Sequence, residues 1–338
     1  MIGHMPGFDI VHEFFDRPDD LSWSPADWAW IAGLMDVLFP TWFSGKPVLA
    51  FRPPGAFDPE LAFHTLRKHL VRNVFLVPTM VKLMRQVANP PRAALNTILC
   101  GGEAVGAELH DWGRAHFGVP LNEGYGQTEC NLVLAHAPAL MKPKFGALGL
   151  PPPGHVAAIV DDDGVELPPG EQGNIAFRRP NPVMMLGYWN NPEATEKKFA
   201  KDWLLTGDVG WRDEDGYFWF VGRADDVITS GGFRIGPGEI EDCLLKHPAV
   251  AAAAVIGVPD PVRTEIIKAF ITPGPGYAPG DALEAEIRGF VRDRLARHEY
   301  PRLIEFVDDL PTTATGKVMR RVLKQQETAR RKAEAKTP

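Results

Sequence analysis

Residues 222–241 read Gly222-Arg223-Ala224-Asp225-Asp226-Val227-Ile228-Thr229-Ser230-Gly231-Gly232-Phe233-Arg234-Ile235-Gly236-Pro237-Gly238-Glu239-Ile240-Glu241. Two arginines, two adjacent aspartates and five glycines fall within these twenty residues, directly after an alternating aromatic run, Tyr217-Phe218-Trp219-Phe220-Val221. A guanidinium forks onto phosphate oxygens, and glycines let a ligand approach the backbone. The stretch therefore has the composition of a nucleotide-handling joint between two domains.

Around this joint, 338 residues suffice for about two domains with large cores. A 45% hydrophobic and 23% charged composition is that of an ordinary globular protein, and a net charge of -7 gives no basic footprint for nucleic acid. Cys100, Cys130 and Cys243 lie far apart, which suggests neither a disulfide framework nor a Cys-x-x-Cys metal site and fits a reducing cytosol. The opening Met-Ile-Gly-His-Met-Pro-Gly lacks the basic and apolar run of a signal peptide. The most apolar stretch, Ala29 to Phe39, is broken by Asp36 and too short to span a bilayer, so it reads as a core helix. The tail from Lys324 to Pro338 reads as a frayed, solvated helix end.

Before the joint, Ser24-Pro25 predicts a helix over 25–39, and Asp58-Pro59-Glu60 a second one to about Leu70. The apolar run Val74-Phe75-Leu76-Val77 reads as a buried parallel strand, and Thr79 as the cap of a helix with Met80, Leu83, Met84 and Val87 on one stripe. Strand 97–100, helix 107–117 and strand 120–122 continue the alternation, which argues for an α/β layer with ligands at the carboxyl ends of the strands. After about Gly146, Pro/Gly and Asp/Gly clusters punctuate short strands, as in a small β-barrel-like subdomain over about 146–222. Beyond the joint, helices near 237–246 and 281–296 and strands near 250–258, 266–272 and 303–307 form an α+β module. The fold class expected is α/β: a partial large domain over 1–224 containing the β subdomain, a mobile α+β domain over 225–330, and a tail over 331–338.

Three further motifs bear on chemistry. Gly101-Gly102-Glu103-Ala104 follows a strand, where two glycines let a flat ring lie against the backbone. In Asn122-Glu123-Gly124-Tyr125-Gly126-Gln127-Thr128-Glu129, Tyr125 can stack on a base, Glu123 can accept from an exocyclic amine, and Glu129 offers a hard carboxylate to Mg²⁺. Thr206-Gly207-Asp208 presents a carboxylate able to accept from both hydroxyls of a ribose. With Pro311-Thr312-Thr313-Ala314-Thr315-Gly316-Lys317, these segments and the joint resemble, in order, the motifs of the adenylate-forming superfamily of acyl-CoA synthetases, luciferases and peptide-synthetase adenylation domains.

The resemblance implies that Gly101, Gly102, Glu103, Glu123, Tyr125, Gly126 and Gln127 line the adenine site. Thr128 meets the α-phosphate, Glu129 holds Mg²⁺, and Asp208 binds the ribose. Arg223 and Arg234 meet ribose and phosphate. Asp225 is the pivot of the small domain, and Gly231 and Gly232 floor the pantetheine channel. Lys317 bridges carboxylate and α-phosphate as charge builds, and Arg292 contacts a CoA phosphate. The implied activity is that of an AMP-forming acyl-CoA synthetase using ATP, Mg²⁺, CoA and a short- or medium-chain carboxylate. Alternatives are a module that holds AMP, acyl-adenylate or CoA, and an adenylation domain loading a carrier-protein thiol. Gly126 stands where acetate-restricted relatives carry tryptophan, which implies an acyl pocket that extends beyond acetate. The Ser/Thr/Gly-rich phosphate loop of the superfamily finds no counterpart, so the expectation is a chain lacking that first portion, completed by a separate N-terminal segment or working as a homo-oligomer.

Overall fold

The computed structural model describes residues 1–103, 105–312 and 318–334. The chain forms two compact units, one of Met1–Thr206 with Gly210–Phe220, the other of Gly207–Val209 with residues from Val221 onward.

In the first unit, α1 (Met5–Val11), β1 (Ser22–Trp23), α2 (Ile31–Gly33), a π-helical turn (Leu34–Leu38), α3 (Phe39–Phe43) and α4 (Pro59–Lys68) precede β2 (Asn73–Leu76). Then come α5 (Pro78–Arg85), β3 (Thr97–Gly101), α6 (Ala107–Phe117), β4 (Leu121–Gln127) and β5 (Asn131–His136). The sheet runs in the order β1-β2-β3-β4-β5, with β1 to β4 parallel and β5 antiparallel to β4. Its strands are apolar at successive positions because each face is covered. Val74, Leu76, Ile98, Cys100 and Leu121 pack with Phe63, Leu66, Val81, Met84 and Leu109 from α4, α5 and α6. The intervening Phe75 and Leu99 pack with Val11, Ala32 and Val37.

Asp58 caps α4 by accepting from the amides of Glu60 and Leu61. The helix predicted from Pro25 instead begins at Ile31. Ser24 Oγ accepts from the Ala26 amide and Asp27 Oδ1 from the Ala29 amide, and these side-chain turns hold the backbone out of helix until Trp30. Thr79 does not cap α5: Val77 is the N-cap and Thr79 lies inside the first turn.

A second sheet has the order β6-β11-β10-β8-β7, with β9 on β10. Its strands are β6 (Ala147–Gly149), β7 (Ala157–Val160), β8 (Gly173–Arg178), β9 (Phe199–Ala200), β10 (Trp203–Arg212) and β11 (Phe218–Arg223), with α7 (Pro192–Glu196) between β8 and β9. Leu134, Ile159, Ile175, Phe177, Leu204 and Phe218 form its core.

The second unit has a sheet β13-β12-β15-β14 with β16 beside β15. Its elements are β12 (Ile228–Ser230), β13 (Phe233–Ile235), α8 (Pro237–Leu244), β14 (Val250–Asp260), β15 (Thr264–Pro273), α9 (Asp281–Arg292), β16 (Leu303–Phe306) and α10 (Arg320–Glu334). Alternation along β14 again serves two faces: Ala253 and Val255 meet α8 and α9, while Ala254, Ile256 and Val258 meet Leu323 of α10. The segment from Lys324 is therefore not simply a solvated end. Glu327 is buried and accepts from Lys268 Nζ at 2.8 Å and Arg331 Nε at 2.9 Å.

Candidate active site

In the first unit, the predicted residues gather at the carboxyl ends of β3 and β4. Gly101 stands opposite Gly124 in the parallel register, and a Cβ on Gly101 would come within 2.8 Å of the Gly124 carbonyl oxygen. Gly102 follows at φ +88°, a conformation that favours glycine. Glu103 is held by Thr79 Oγ1, which donates to its Oε2 at 2.8 Å; Ala104 lies outside the described residues. The strand expected over 120–122 runs further into the second motif than its bounds. Residues up to Gln127 continue β4 and pair with β5, with a register shift between Tyr125 and Gly126.

That shift explains Gly126. A Cβ there would overlap the Asn131 carbonyl, so backbone packing alone demands glycine. Tyr125 stacks near Phe177 with ring centroids 6.4 Å apart, and Gln127 Nε2 donates to the Thr206 carbonyl at 3.0 Å. Thr128 is exposed. Glu129 accepts from the Tyr188 hydroxyl at 2.6 Å, and its carbonyl accepts from the Met185 amide.

Glu123 is buried among partners that the sequence did not reveal. His110 Nε2, on α6, lies 2.8 Å from its Oε1, and His136 Nδ1, on β5, lies 3.7 Å from the same oxygen. The His136 Nε2 accepts from the Lys144 amide, so the neutral ring carries its proton on Nδ1, facing Glu123. Burial pushes the Glu123 carboxyl up, but the bond from His110 and the neighbouring His136 outweigh it and hold the group below its usual range. An ionised Glu123 with its Oε1 turned to imidazole ties β4 to α6 and β5. Only the 1,2-pattern of acidic residue before Gly-Tyr-Gly was visible in sequence; the histidines lie 13 positions away on either side.

In the second unit, Asp208 and Arg223 come together although they are 15 residues apart: Arg223 Nη1 donates to Asp208 Oδ1 at 2.7 Å, with Asp208 buried and Arg223 half exposed. Gly207, at φ +76°, brings the strand close enough that a Cβ would press on the Arg223 guanidinium at 3.3 Å. The Ala224–Asp226 turn, carrying Asp225, links β11 to β12. Gly231 and Gly232 form the two-residue turn between β12 and β13, with φ of +57° and +88°. Two positive angles are those of a type I′ hairpin, a conformational demand for glycine that exists without any ligand. Arg234 is exposed on β13 opposite Thr229, and Arg292 is exposed with its Nε 3.6 Å from Asp293. Lys317 lies outside the described residues.

For Mg²⁺ the donor set is spare. Among the described residues no three His, Cys, Asp or Glu side chains gather as a metal group. Glu129 supplies one carboxylate, which suits a cation whose remaining ligands are phosphate oxygens and water. No helix of the described residues is long and apolar enough to cross a membrane.

A family model described as AMP-binding enzyme matches residues 4–189, and one described as AMP-binding enzyme C-terminal domain matches residues 239–317. The chain is 42% identical over 314 residues to acetyl-coenzyme A synthetase of Bacillus subtilis (strain 168), covering 91% of this chain and 54% of that protein. To the mitochondrial acyl-coenzyme A synthetase ACSM5 of Homo sapiens it is 40% identical over 315 residues, again 91% and 54%. The crystal structure of an ATP-bound RpMatB-BxBclM chimera superposes with a TM-score of 0.84 at 31% identity, over 96% of this chain and 63% of that one. The chain spans about half the length of the curated relatives it matches.

Proposed function

The chain belongs to the AMP-binding enzyme family, and from that premise we propose that it serves AMP-forming acyl-CoA synthesis from a short- or medium-chain carboxylate. The reading is best supported by the pairing of buried Asp208 with Arg223, two motif residues whose closeness brings a ribose acceptor and a phosphate-seeking cation together.

In the first half-reaction a carboxylate oxygen forms a bond to the α-phosphorus of ATP as the bond to pyrophosphate breaks, giving an acyl-adenylate. In the second, a thiol sulfur forms the thioester bond and AMP leaves. Tyr125 presents a face for adenine, and the Asp208 carboxylate accepts from ribose hydroxyls once Arg223 turns to phosphate. Thr128 donates to the α-phosphate. Lys317 supplies a movable positive charge between the two reacting oxyanions, where stabilising developing charge is the main contribution to rate. Glu129 would hold Mg²⁺, which supplies charge neutralisation on the polyphosphate. Gly231 and Gly232 leave the thiol an unobstructed backbone face, Arg234 and Arg292 offer cations to phosphates, and Asp225 lies in the turn about which the second unit would swivel.

Titration with a non-hydrolysable acyl-sulfamoyl adenosine tests the core of this reading. The wild-type chain should bind it, and Asp208→Ala should weaken binding by roughly 10–100-fold, the loss of hydrogen bonds to a charged acceptor. No binding by the wild type would end the reading. Thioester formed on CoA, rather than on a pantetheinylated protein, separates the synthetase from a carrier-loading adenylation domain; binding without turnover favours the holding module.

A further inference from the structure

Beyond the motif residues themselves, one guanidinium in the second unit joins three segments that the chemistry needs in register. Thr312 and Val318 pair as an antiparallel bridge, and the Met319 amide donates to the Pro311 carbonyl at 2.8 Å. In sequence, this bridge flanks the five residues that end in Lys317. Arg320 follows at the start of α10. Its Nε donates to Glu241 Oε1 at 2.9 Å, its Nη2 bonds Glu241 Oε2, and its Nη1 lies 3.7 Å from Asp226 Oδ2.

Neither anchor is loose. Glu241 Oε1 also accepts from the Val255 amide at 2.8 Å, which fixes the carboxylate to β14. Asp226 lies in the turn beside Asp225, its amide bonded to the Arg223 carbonyl at 2.8 Å. One turn along α10, Lys324 Nζ donates to the Asp225 carbonyl at 2.5 Å. Relative exposures of 18%, 11% and 18% for the side chains of Arg320, Glu241 and Asp226 keep the cluster largely out of water, where a charge pair is little screened. A two-pronged arginine–carboxylate contact fixes direction as well as distance, which a lysine in its place would not.

We propose that Arg320 is a positioning residue, setting the base of the Lys317 segment against the hinge turn through its contacts with Glu241 and Asp226. The inference rests on Lys317 acting in acyl-adenylate formation, as above. It makes the hinge turn, Glu241 of α8 and the start of α10 one mechanical piece, three residues in sequence from Lys317.

The test uses the full chain without ligand, so that it does not depend on turnover. Cleavage after Lys317 by a lysine-specific protease and hydrogen exchange of the amides of residues 318–322 are followed by mass spectrometry. Arg320→Gln and Glu241→Gln should each raise both at least tenfold while exchange in β14 and β15 stays within about twofold of wild type. Arg320→Lys, with a charge but no fork, should fall between. Unchanged cleavage and exchange would overturn the proposal, as would an equal rise throughout β14 and β15, since that is loss of general stability. Failure of the wild type to form acyl-adenylate would count against the functional reading while this positional readout still stands.

Discussion

Individual positions carry two kinds of information here, and the structure separates them. Gly126 is required by the carbonyl of Asn131, so Gly126→Ala should lower the melting temperature by several degrees through loss of β4–β5 pairing, whatever the acyl chain offered. Thermal melts in the presence and absence of butyrate and octanoate check this. Asp36 shows a different demand. On the π-helical turn its Oδ1 lies 3.4 Å from His4 Nε2, and burial pushes its carboxyl from an ordinary 3.8 up to about 7, as burial lowers His4 to about 4. The folded protein then keeps a proton that the unfolded chain has released between these values, so stability falls as pH rises from about 3.8 to 7. Asp36→Asn, which cannot ionise, should gain a few degrees in melting temperature at pH 8 and little at pH 4. An equal change at both pH values would show that Asp36 is not buried in its neutral form.

At the level of elements, α10 is the clearest case of a segment whose surroundings override its composition. Its lysines, arginines and glutamates read as solvated, yet Lys268 and Glu327 are both buried, and Glu305 adds a second carboxylate at 2.6 Å from Lys268 Nζ. Burial alone would raise the Glu327 carboxyl, but hydrogen bonds from Lys268 and Arg331 outweigh it and bring it from 4.5 to about 2. A depressed carboxyl stabilises fully above its unfolded value and loses that share as pH falls toward its folded one. Glu327→Gln should therefore cost about 2–3 kcal/mol at pH 7, a cost that disappears between pH 4.5 and about 2. Denaturant melts across that range measure it; a gap independent of pH would rule out the ion pair as its source. The β12–β13 hairpin shows the opposite relation, since Gly231-Gly232 between strand-forming residues is a turn signal that local conformation alone satisfies.

Across the whole molecule, each unit has hydrophobic cores of its own. Among the described residues, the cores of the second draw on residues from Ile228 to Leu323 and on no side chain from before the joint. A fragment of residues 221–334 should accordingly refold alone and melt cooperatively, as seen by circular dichroism. A fragment that stays unfolded would mean that Gly207–Val209, which cluster with this unit, are indispensable to it. The first unit, in turn, places Gly101 and Gly124 of its glycine-bearing motifs side by side at the carboxyl ends of parallel strands β3 and β4.

What the sequence by itself determined were the features that act over a few residues: the Asp58 cap, the apolar runs of β2 and β3, the glycine turns, and the ordered motifs that mark the family. These depend on backbone conformation and side-chain periodicity, which neighbours along the chain decide. Only the tertiary structure decided that Glu123 is held by His110 and His136, that Tyr188 holds Glu129, and that Arg320 ties Glu241 to Asp226. Each of these joins groups from different elements. Whether a charge is exposed, paired or kept neutral is set by what folding packs against it, and nothing in the spacing of residues along the chain encodes that.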